Sequence, residues 1–416
     1  MEAKRILVTG ASGYIAGRLI PRLLADGYRV RCLTRNPKKL FSRPWYGQVE
    51  VATGDVTHPE SLPAALEGID SAYYLIHNMS SGRHYRQAEL EGARNFARAA
   101  HEAGVAHIIY LGGLADPNEN IGPHMRSRIE TGEALREFPV PVTEFRAGVI
   151  AGPGSISFEM IRFICEQFPV ILGPTWMKNR SQPISAGNVL DYLIAALETP
   201  ACRGMVLEIG GQETYLYHEL MHIYAQIRGT RRRTLLIPGI PTSLMAYFVD
   251  KLTPVPAAIA HPLINGLQSD SVVKDTSAQE VFPHIQLDSF HEAVQESLAQ
   301  LHPDTLDRIW ISGSQDRSLK HEGFLVKSRH LNPAPSMEQL LQFAGTDPGG
   351  YHLERQDSTR LLLKKEEGKW LEWELLEDGR ILRQTAFYAP RDLSGFLKTR
   401  RWRAETGRIF HQIRQF

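Results

Sequence analysis

Residues 5–36, RILVTGASGYIAGRLIPRLLADGYRVRCLTRN, decide the fold of this chain. An apolar run at 5–9 is followed by apolar residues at helical spacing, and a second apolar run follows at 29–34. Small residues, Gly10, Gly13 and Ala16, stand where the first strand passes into the helix. Gly10 permits a tight turn, Gly13 lets backbone amides approach an anion, and a small residue at 16 allows the helix to pack closely on the strand. The stretch therefore predicts a strand–turn–helix–strand unit that binds the pyrophosphate of a dinucleotide.

The residues after the second strand bear on which dinucleotide is bound. An acidic residue there would bind the ribose 2′-hydroxyl of NAD(H), whereas this chain has Arg35, with Lys38 and Lys39 close by. Because cations suit a 2′-phosphate, the sequence favours NADP(H) over NAD(H). A solvated basic loop is the alternative interpretation.

Strands and helices continue to alternate beyond this unit. The segment VEVATGDV ends in Asp55 and Val56, placed where an adenine would lie. The segment SAYYLIH ends in His77, which Asn78 and Met79 follow. The alternation predicts an α/β fold with a doubly wound parallel sheet of the Rossmann type.

Composition excludes several classes of protein. The 416 residues include 47 Lys plus Arg and 46 Asp plus Glu, so no global charge bias points to nucleic acid or an anionic membrane. Three cysteines without metal-ligand spacing, and no charged-then-apolar leader, predict a reduced cytoplasmic protein. The most apolar region, 235–267, contains five prolines and an Asp–Lys pair, and predicts an irregular lid or docking surface rather than a membrane span.

Several motifs, in this order, resemble one family. They are TGASGYIAG, LTRNP, GDVTHPESLPAALEGID, HIIYLGGL, FRAGVIAGPGS, QPISAGNVLDYLIAALE and TPVPAAIA. Together they resemble the atypical extended short-chain dehydrogenase/reductases, nearest to the NmrA-like bacterial NAD(P)H-binding branch, over residues 1–305. The resemblance implies a Rossmann domain whose smaller substrate-side portion comes mainly from segments after residue 150.

The resemblance also implies roles for individual residues. The pyrophosphate side would be held by Gly10, Ser12, Gly13, Tyr14 and Ile15. The 2′-phosphate would be held by Arg35, the adenine by Asp55 and Val56, and the nicotinamide ribose by Ile76, His77 and Asn78. The substrate pocket would be lined by His124 together with Met79, Leu114, Ile150, Phe158 and Trp176.

The chain departs from that family where the reaction takes place. The standard enzymes carry a Ser at the end of the fifth strand and a Tyr and Lys four residues apart, whereas this chain has Gly112 and Gly113, then His124 and Arg128. His124 could donate a proton near neutral pH, and Arg128 could anchor the ribose or an oxyanion but is too basic to relay protons. The alternative is that 124–137 is an ordinary surface helix.

The sequence contains a match to a zinc-protease motif, which we interpret as a coincidence. Residues 217–222 read YHELMH, which matches H-E-x-x-H. A catalytic zinc needs a third protein ligand, and the positions of the extended motif hold Ala225 and Arg228 instead. The sequence therefore predicts a packing helix and no metal site.

The C-terminal region forms a separate unit. After a linker at 306–317, residues 318–416 change to strand periodicity, as in KWLEWELLEDGRILRQTAFY with a hairpin turn at Asp378 and Gly379. A last helix follows. The order resembles a shortened START-like, helix-grip domain of unknown function, which makes this domain α+β.

Two functions remain open from the sequence. One is an NADP(H)-dependent reductase of a hydrophobic small molecule that works without the usual Ser-Tyr-Lys set. The other is a catalytically inactive, NmrA-like dinucleotide sensor or scaffold. The altered reaction residues favour the sensor or scaffold. The retained apolar substrate side favours the reductase, which we prefer. The sequence indicates no nucleic-acid partner and leaves the oligomeric state open.

Overall fold

The computed structural model describes residues 3–41, 43–77, 85–253, 255, 257–305, 320–321, 323–366, 368–390 and 395–415. Its strands are β1 (Arg5–Thr9), β2 (Arg29–Thr34), β3 (Glu50–Thr53), β4 (Ser71–Tyr74), β5 (His107–Gly113), β6 (Val142–Ala147), β7 (Ile150–Ala151), β8 (Val170–Pro174), β9 (Arg180–Ser181), β10 (Ile184–Ser185), β11 (Val206–Ile209), β12 (Tyr215–Leu216), β13 (Arg233–Ile237), β14 (Lys320–His321), β15 (Phe324–Leu331), β16 (His352–Gln356), β17 (Arg360–Lys365), β18 (Lys369–Leu376) and β19 (Ile381–Tyr388). Its helices are α1 (Tyr14–Ala25), α2 (Pro63–Leu66), α3 (Tyr85–Glu102), α4 (Pro123–Leu135), α5 (Ile156–Gln167), α6 (Ala186–Glu198), α7 (Tyr217–Ile227), α8 (Thr242–Leu252), α9 (Ala257–Gly266), α10 (Ser277–Val281), α11 (Phe290–Ala299), α12 (Met337–Ala344) and α13 (Gly395–Gln415).

A seven-stranded parallel sheet forms the centre of the N-terminal unit. Its strand order is β11-β6-β5-β4-β1-β2-β3. Strands such as β1 and β5 are almost wholly buried, because a parallel sheet carries helices on both faces. The predicted doubly wound α/β fold is confirmed. The chain reverses its direction of winding between β1 and β4, and such a switch point is where parallel sheets bind ligands.

Two helical layers cover this sheet. On one face, Leu19 and Leu23 of α1 pack with Leu193 of α6. On the other face, Phe96 of α3 packs with Leu135 of α4. Each large apolar side chain buried in this way contributes about 1.5–3 kcal/mol before the cost of chain entropy. The two layers hold the carboxyl ends of the strands in fixed positions.

The substrate-side portion is more regular than the sequence predicted. Residues 235–267 were expected to be irregular, but they form the end of β13 and the helices α8 and α9. Pro238 and Pro241 lie between β13 and α8, and Pro262 is tolerated inside α9. The predicted irregularity was wrong, because Pro238 and Pro241 fall between elements rather than within them, while a lid or docking surface stays a prediction. No helix in the described part of the chain is long and apolar enough to cross a membrane.

The C-terminal unit is a six-stranded antiparallel sheet in the order β14-β15-β19-β18-β17-β16. The predicted hairpin turn joins β18 to β19, with Asp378 and Gly379 at positive φ. One face of the sheet packs Trp373 against Phe343 of α12 and Trp402 of α13. The α+β character of this unit is confirmed, while the START-like resemblance and the boundaries at 305 and 318 stay predictions. The predicted linker, 306–317, lies outside the described residues.

The two units touch beyond the end of α11. Leu301 packs in one cluster with Phe324 and Trp370 of the C-terminal sheet. The Asp304 carboxylate pairs with Arg360, and the guanidinium of the buried Arg162 in α5 donates a hydrogen bond to the carbonyl of Gly323. The C-terminal sheet is therefore anchored on α5. The first residues of α5, Ile156 and Ser157, border a cavity at the carboxyl edge of the parallel sheet.

Candidate functional site

The cavity opens where β1 and β4 separate at the switch point. The two strands are in register up to Val8 and Tyr73, after which the Leu75 amide donates to the Thr9 hydroxyl, at 2.9 Å, instead of to a backbone carbonyl. Because the strands part here, the carboxyl edge of the sheet encloses a cavity of about 490 Å³. That volume lies within the range of about 300–1,000 Å³ common for cofactor and small-molecule sites.

The glycine turn forms one wall of this cavity. Gly10 has φ +64°, and a Cβ there would lie 2.6 Å from the Leu75 carbonyl oxygen, so the turn requires glycine. The Gly13 amide donates to the Gly10 carbonyl at 2.7 Å, and no side chain caps the first turn of α1. The uncapped amides and the helix dipole therefore favour an anion at this point. The predicted pyrophosphate residues all line the cavity: Gly10, Ser12, Gly13, Tyr14 and Ile15.

The outer end of the cavity lies at the carboxyl ends of β2 and β3. We call Arg35, Asp55 and Val56 the outer end, and all three line the cavity. The Arg35 guanidinium is 65% exposed and lies 3.8 Å from the Asp55 carboxylate, a separation too long for a tight hydrogen-bonded pair. The other Asp55 oxygen accepts from the Thr57 amide and hydroxyl. This end therefore offers a cation that is largely free to turn toward a ligand.

The inner end of the cavity is a buried group of polar side chains, which we define as His77, Glu89, His124 and Arg128. Glu89 of α3 accepts a hydrogen bond from the Ser127 hydroxyl and faces the His77 Nδ1 at 2.9 Å. Although burial raises the pKa of Glu89, its hydrogen bond with His77 and the nearby Arg128 charge lower it to about 2. Burial and the Arg128 charge lower the pKa of His77. Near neutral pH the group therefore holds an ionised Glu89 beside a neutral His77.

Arg128 is fixed by the backbone of the inner end. Its guanidinium donates to the Leu111 carbonyl and lies 4.9 Å from the centre of the Tyr110 ring. It also approaches the His77 Nδ1 at 3.4 Å, but the contact of that nitrogen with Glu89 is shorter, so we assign a proton to Nδ1 that it donates to the Glu89 carboxylate. Arg128 is only 8% exposed, so its charge is balanced mainly by Glu89 within the protein.

His124 stacks beside His77 at the inner end. Its ring centre lies 4.9 Å from that of His77, and its Nδ1 has no hydrogen-bond partner among the described residues. Burial first, and then His77 and Arg128, lower the pKa of His124 to about 3. His124 is therefore a neutral imidazole at pH 7, and the residue lines the cavity while its unpartnered Nδ1 is buried.

Gly112 and Gly113, at the end of β5, have neighbours that leave little room for a side chain. A Cβ on Gly113 would lie 2.6 Å from the Met125 Cε, and one on Gly112 would lie 3.1 Å from the Tyr110 ring. Any side chain at 113 would thus require Met125 to move. Met125 occupies the space above β5 that a larger residue would need.

The remaining predicted residues are placed as follows. Ile76 and Ile150 line the cavity, whereas Leu114, Phe158 and Trp176 are not among its lining residues. Phe158 packs on Tyr224 within a buried cluster of the substrate side. Asn78 and Met79 lie outside the described residues.

The H-E-x-x-H motif forms part of α7. Its His218 Nδ1 lies 3.1 Å from the Met177 carbonyl, and its His222 Nε2 lies 2.8 Å from the Thr234 hydroxyl. Glu219 accepts from the Leu216 amide and so caps its own helix. In the part of the chain described, no group of three or more His, Cys, Asp or Glu residues is placed to hold a metal.

Sequence reasoning missed several residues of the site. Glu89 and Ser127 come from two different helices, and Leu263, Gly266 and Leu267 come from the end of α9 and just beyond it. The buried Arg43 donates to the Ser12 carbonyl at 3.1 Å and steadies the glycine turn. None of these residues forms a motif with its sequence neighbours, so only the tertiary contacts identify them.

The N-terminal unit is similar in sequence to several other proteins. Residues 2–238 match the NmrA-like family. The photosystem II assembly factor Ycf39 of Trieres chinensis is 26% identical over 243 residues, which cover 56% of this chain and 72% of that protein. Ceramide reductase of Caulobacter vibrioides is 27% identical over 246 residues, which cover 57% of this chain and 75% of that protein.

Solved structures also share the fold. Triphenylmethane reductase of Citrobacter sp., complexed with NADP(H), has a TM-score of 0.57 at 21% identity and covers 70% of this chain and 99% of its own. The NADPH-dependent quinone oxidoreductase QOR2 of Escherichia coli, complexed with NADPH, has a TM-score of 0.57 at 17% identity and covers 70% of this chain and 98% of its own. At these identities the likeness shows the fold alone. Since the family match spans more than half of its 416 residues, the chain belongs to the NmrA-like family.

Proposed function

We propose that this protein is an NADPH-dependent reductase of a hydrophobic, conjugated small molecule, and that it works without the usual Ser-Tyr-Lys set. The observation that carries the proposal is one cavity that joins an anion-binding turn and the exposed Arg35 cation to a buried, polar inner end. The site fits a nicotinamide dinucleotide, because Gly10 and Gly13 leave the turn open and the first turn of α1 is uncapped. NADPH supplies a hydride when it is bound.

The residues at the outer end select the cofactor in this proposal. Arg35 binds the 2′-phosphate, and the backbone amides of the turn bind the pyrophosphate. Thr57 occupies one oxygen of the Asp55 carboxylate, and the other oxygen lies 3.8 Å from Arg35, too far to hold the guanidinium tightly. The preference for NADP(H) over NAD(H) rests on this freedom of Arg35.

The residues at the inner end position the acceptor. Arg128 anchors the ribose or stabilises negative charge that develops in the acceptor. His124 is neutral at pH 7, so it can donate or accept a hydrogen bond but does not act as an imidazolium acid. Acceptors that need no strong enzymic acid, such as conjugated alkenes and iminium-like groups, suit such a site. Apolar residues of α9, with Ile150 and Ile156, complete its walls.

Single-turnover oxidation of bound NADPH tests the proposal with a panel of a triphenylmethane dye, a quinone, an enone, an imine and a simple ketone. We expect oxidation by conjugated acceptors and little by the ketone. His124→Phe should slow turnover only about tenfold, because it removes one hydrogen bond to the acceptor, worth about 0.5–1.5 kcal/mol, and no acid catalysis. The matched control is His101→Phe, at an exposed histidine of α3, which should change nothing.

Two results would overturn the proposal in different ways. Rapid ketone reduction that disappears in the His124→Phe variant would show a working acid at this position. Tight NADPH binding without oxidation by any acceptor would show a dinucleotide-binding protein that performs no reduction. Since the pKa of His124 lies near 3, turnover should also show no inflection from this group between about pH 5 and 8.

A further inference from the structure

An unusual concentration of exposed apolar side chains lies on the substrate-side portion. Six of the eight large hydrophobic residues that are strongly exposed in the described part of the chain belong to β8, β13 and α8, and each is between 43% and 55% exposed. We call them the apolar face: Val170, Leu172, Leu235, Leu244, Tyr247 and Phe248. Isolated exposed hydrophobics are ordinary, but a cluster of this kind marks a surface that binds a partner.

The strands place half of this face in one row. β8 and β13 pair in parallel with Val170 opposite Arg233 and Leu172 opposite Leu235. Paired residues point to the same side of a sheet, and the intervening Ile171 is buried on the other side. Leu172 and Leu235 therefore stand side by side on the outer surface, next to the Arg233 cation.

The helix contributes the other half. Leu244, Tyr247 and Phe248 are spaced three and four residues apart, so they share one face of α8. The opposite face of α8, with Ala246 and Val249, is buried against α9. The chain passes from β13 to α8 within the four residues 238–241, so the strand row and the helix face are close along the chain.

The charges beside the apolar face are mostly basic. Its two segments, 169–178 and 231–252, contain Lys178, Arg231, Arg232, Arg233 and Lys251 against one acidic residue, the half-buried Asp250. Arg231 and Arg233 are exposed, and neither forms an ion pair with any described residue. Aromatic and aliphatic side chains flanked by unpaired cations are the combination that binds the headgroup region of an anionic bilayer.

A second copy of the chain suits this surface less well. A two-fold contact would place the same patch against itself, and the exposed arginines of one copy would face those of the other, with only the half-buried Asp250 in these segments to offset them. We therefore propose that the apolar face docks the protein peripherally on an anionic phospholipid bilayer. The inference does not depend on the proposed reductase chemistry. It does give a route for apolar acceptors, since α8 packs on α9 and residues of α9 line the cavity.

Co-sedimentation of the full-length protein with vesicles tests the proposal. Vesicles of phosphatidylcholine mixed with phosphatidylglycerol should bind the protein, vesicles of phosphatidylcholine alone should bind it weakly, and high salt should reduce binding. Arg231→Gln/Arg233→Gln should lower the partition coefficient on the order of tenfold. Arg400→Gln/Arg401→Gln, at exposed residues of α13, is the matched control and should not change it.

The apolar part is tested separately. Leu235→Ser/Phe248→Ser should remove most of the vesicle binding, whereas Leu353→Ser, at an exposed leucine of β16, should not. These are surface changes, and thermal unfolding followed by circular dichroism checks that each variant is folded. Absence of binding to anionic vesicles would overturn the proposal. So would light scattering that shows a dimer which Leu235→Ser/Phe248→Ser dissociates, because the face would then bind a second copy.

Discussion

The cavity has a cation at each end, and the two cations differ in their exposure to solvent and in how they are bonded. Arg35 at the outer end is 65% exposed and only loosely paired with Asp55. Arg128 at the inner end is 8% exposed, bonded to the Leu111 carbonyl and balanced by the buried Glu89. The outer cation can be changed at little cost to the fold, whereas the inner one belongs to a network that the fold itself requires. The comparison separates ligand recognition from structural support within one site.

The largest expected effect comes from the inner network. Glu89→Gln should lower the free energy of unfolding by about 3 kcal/mol, because removing one partner of a buried charge network leaves the others uncompensated. Glu91→Gln, at an exposed residue of the same helix, is the control and should have little effect. Urea unfolding of both variants measures the difference. Equal stability of the Glu89 variant and the native protein would show that the inner end is not structural.

The same network predicts a pH dependence of stability. The pKa of Glu89 in the folded protein is about 2, below its unfolded value, so its contribution is complete above the unfolded pKa and is lost as the pH falls toward 2. The native protein should therefore lose stability in this acid range more steeply than Glu89→Gln does.

A smaller effect is expected from Gly13→Val, at the turn between the two ends. A Cβ at 13 would lie 3.0 Å from the Gly10 carbonyl oxygen, and the branched side chain would occupy the approach of the pyrophosphate. Binding of either cofactor should weaken by about 2–3 kcal/mol or more without unfolding the protein. Gly47→Val is the matched control, since nothing lies within 4 Å of a Cβ there. Calorimetric titration with NADPH and NADH measures both.

Arg35→Glu sharpens the comparison at the outer end. It should weaken NADPH binding by about 2 kcal/mol and NADH binding much less, because a charge-assisted partner of the 2′-phosphate becomes a repelling one. The free energy of unfolding should stay unchanged, unlike that of Glu89→Gln. The control is Arg29→Glu, the same charge change at the other end of β2. Equal losses for both cofactors would contradict the assigned role of Arg35.

The smallest effect concerns the glycines at the end of β5. Gly113→Ser should destabilise the protein by about 1 kcal/mol, because its Cβ would press on the flexible Met125 side chain. Met125→Ala should relieve this cost in the double variant, so the two changes should couple in a double-mutant cycle of thermal unfolding. Purely additive effects would mean that Met125 does not determine the glycine at 113.

The sequence was sufficient for the parts of the site that are local. The turn at Gly10 and Gly13 lies directly between β1 and α1. Arg35 is the first residue after the end of β2. Alternating strands and helices predicted the parallel sheet because a buried strand and an amphipathic helix each have their own periodicity. The C-terminal antiparallel sheet was predicted in the same way from Trp373 and its neighbours.

The inner end could not be predicted in this way. His124 and Arg128 were singled out from their spacing, but their environment depends on Glu89 in another helix, on Tyr110 in β5 and on α9 far along the chain. The protonation of His124 follows from burial, which no local pattern records. The basic residues beside the apolar face were hidden in the near-zero net charge of the whole chain, although the sequence already favoured a lid or docking surface over 235–267.

By itself, then, the sequence determined that a Rossmann-type sheet forms and where its glycine turn lies, because hydrophobic periodicity and glycine conformation act over a few residues. The tertiary structure alone decided that His124 is neutral, that Arg128 is balanced by Glu89 and that Met125 fills the space beside Gly113. These properties depend on desolvation and on contacts between segments distant in the chain, and both exist only after the helices have packed on the sheet.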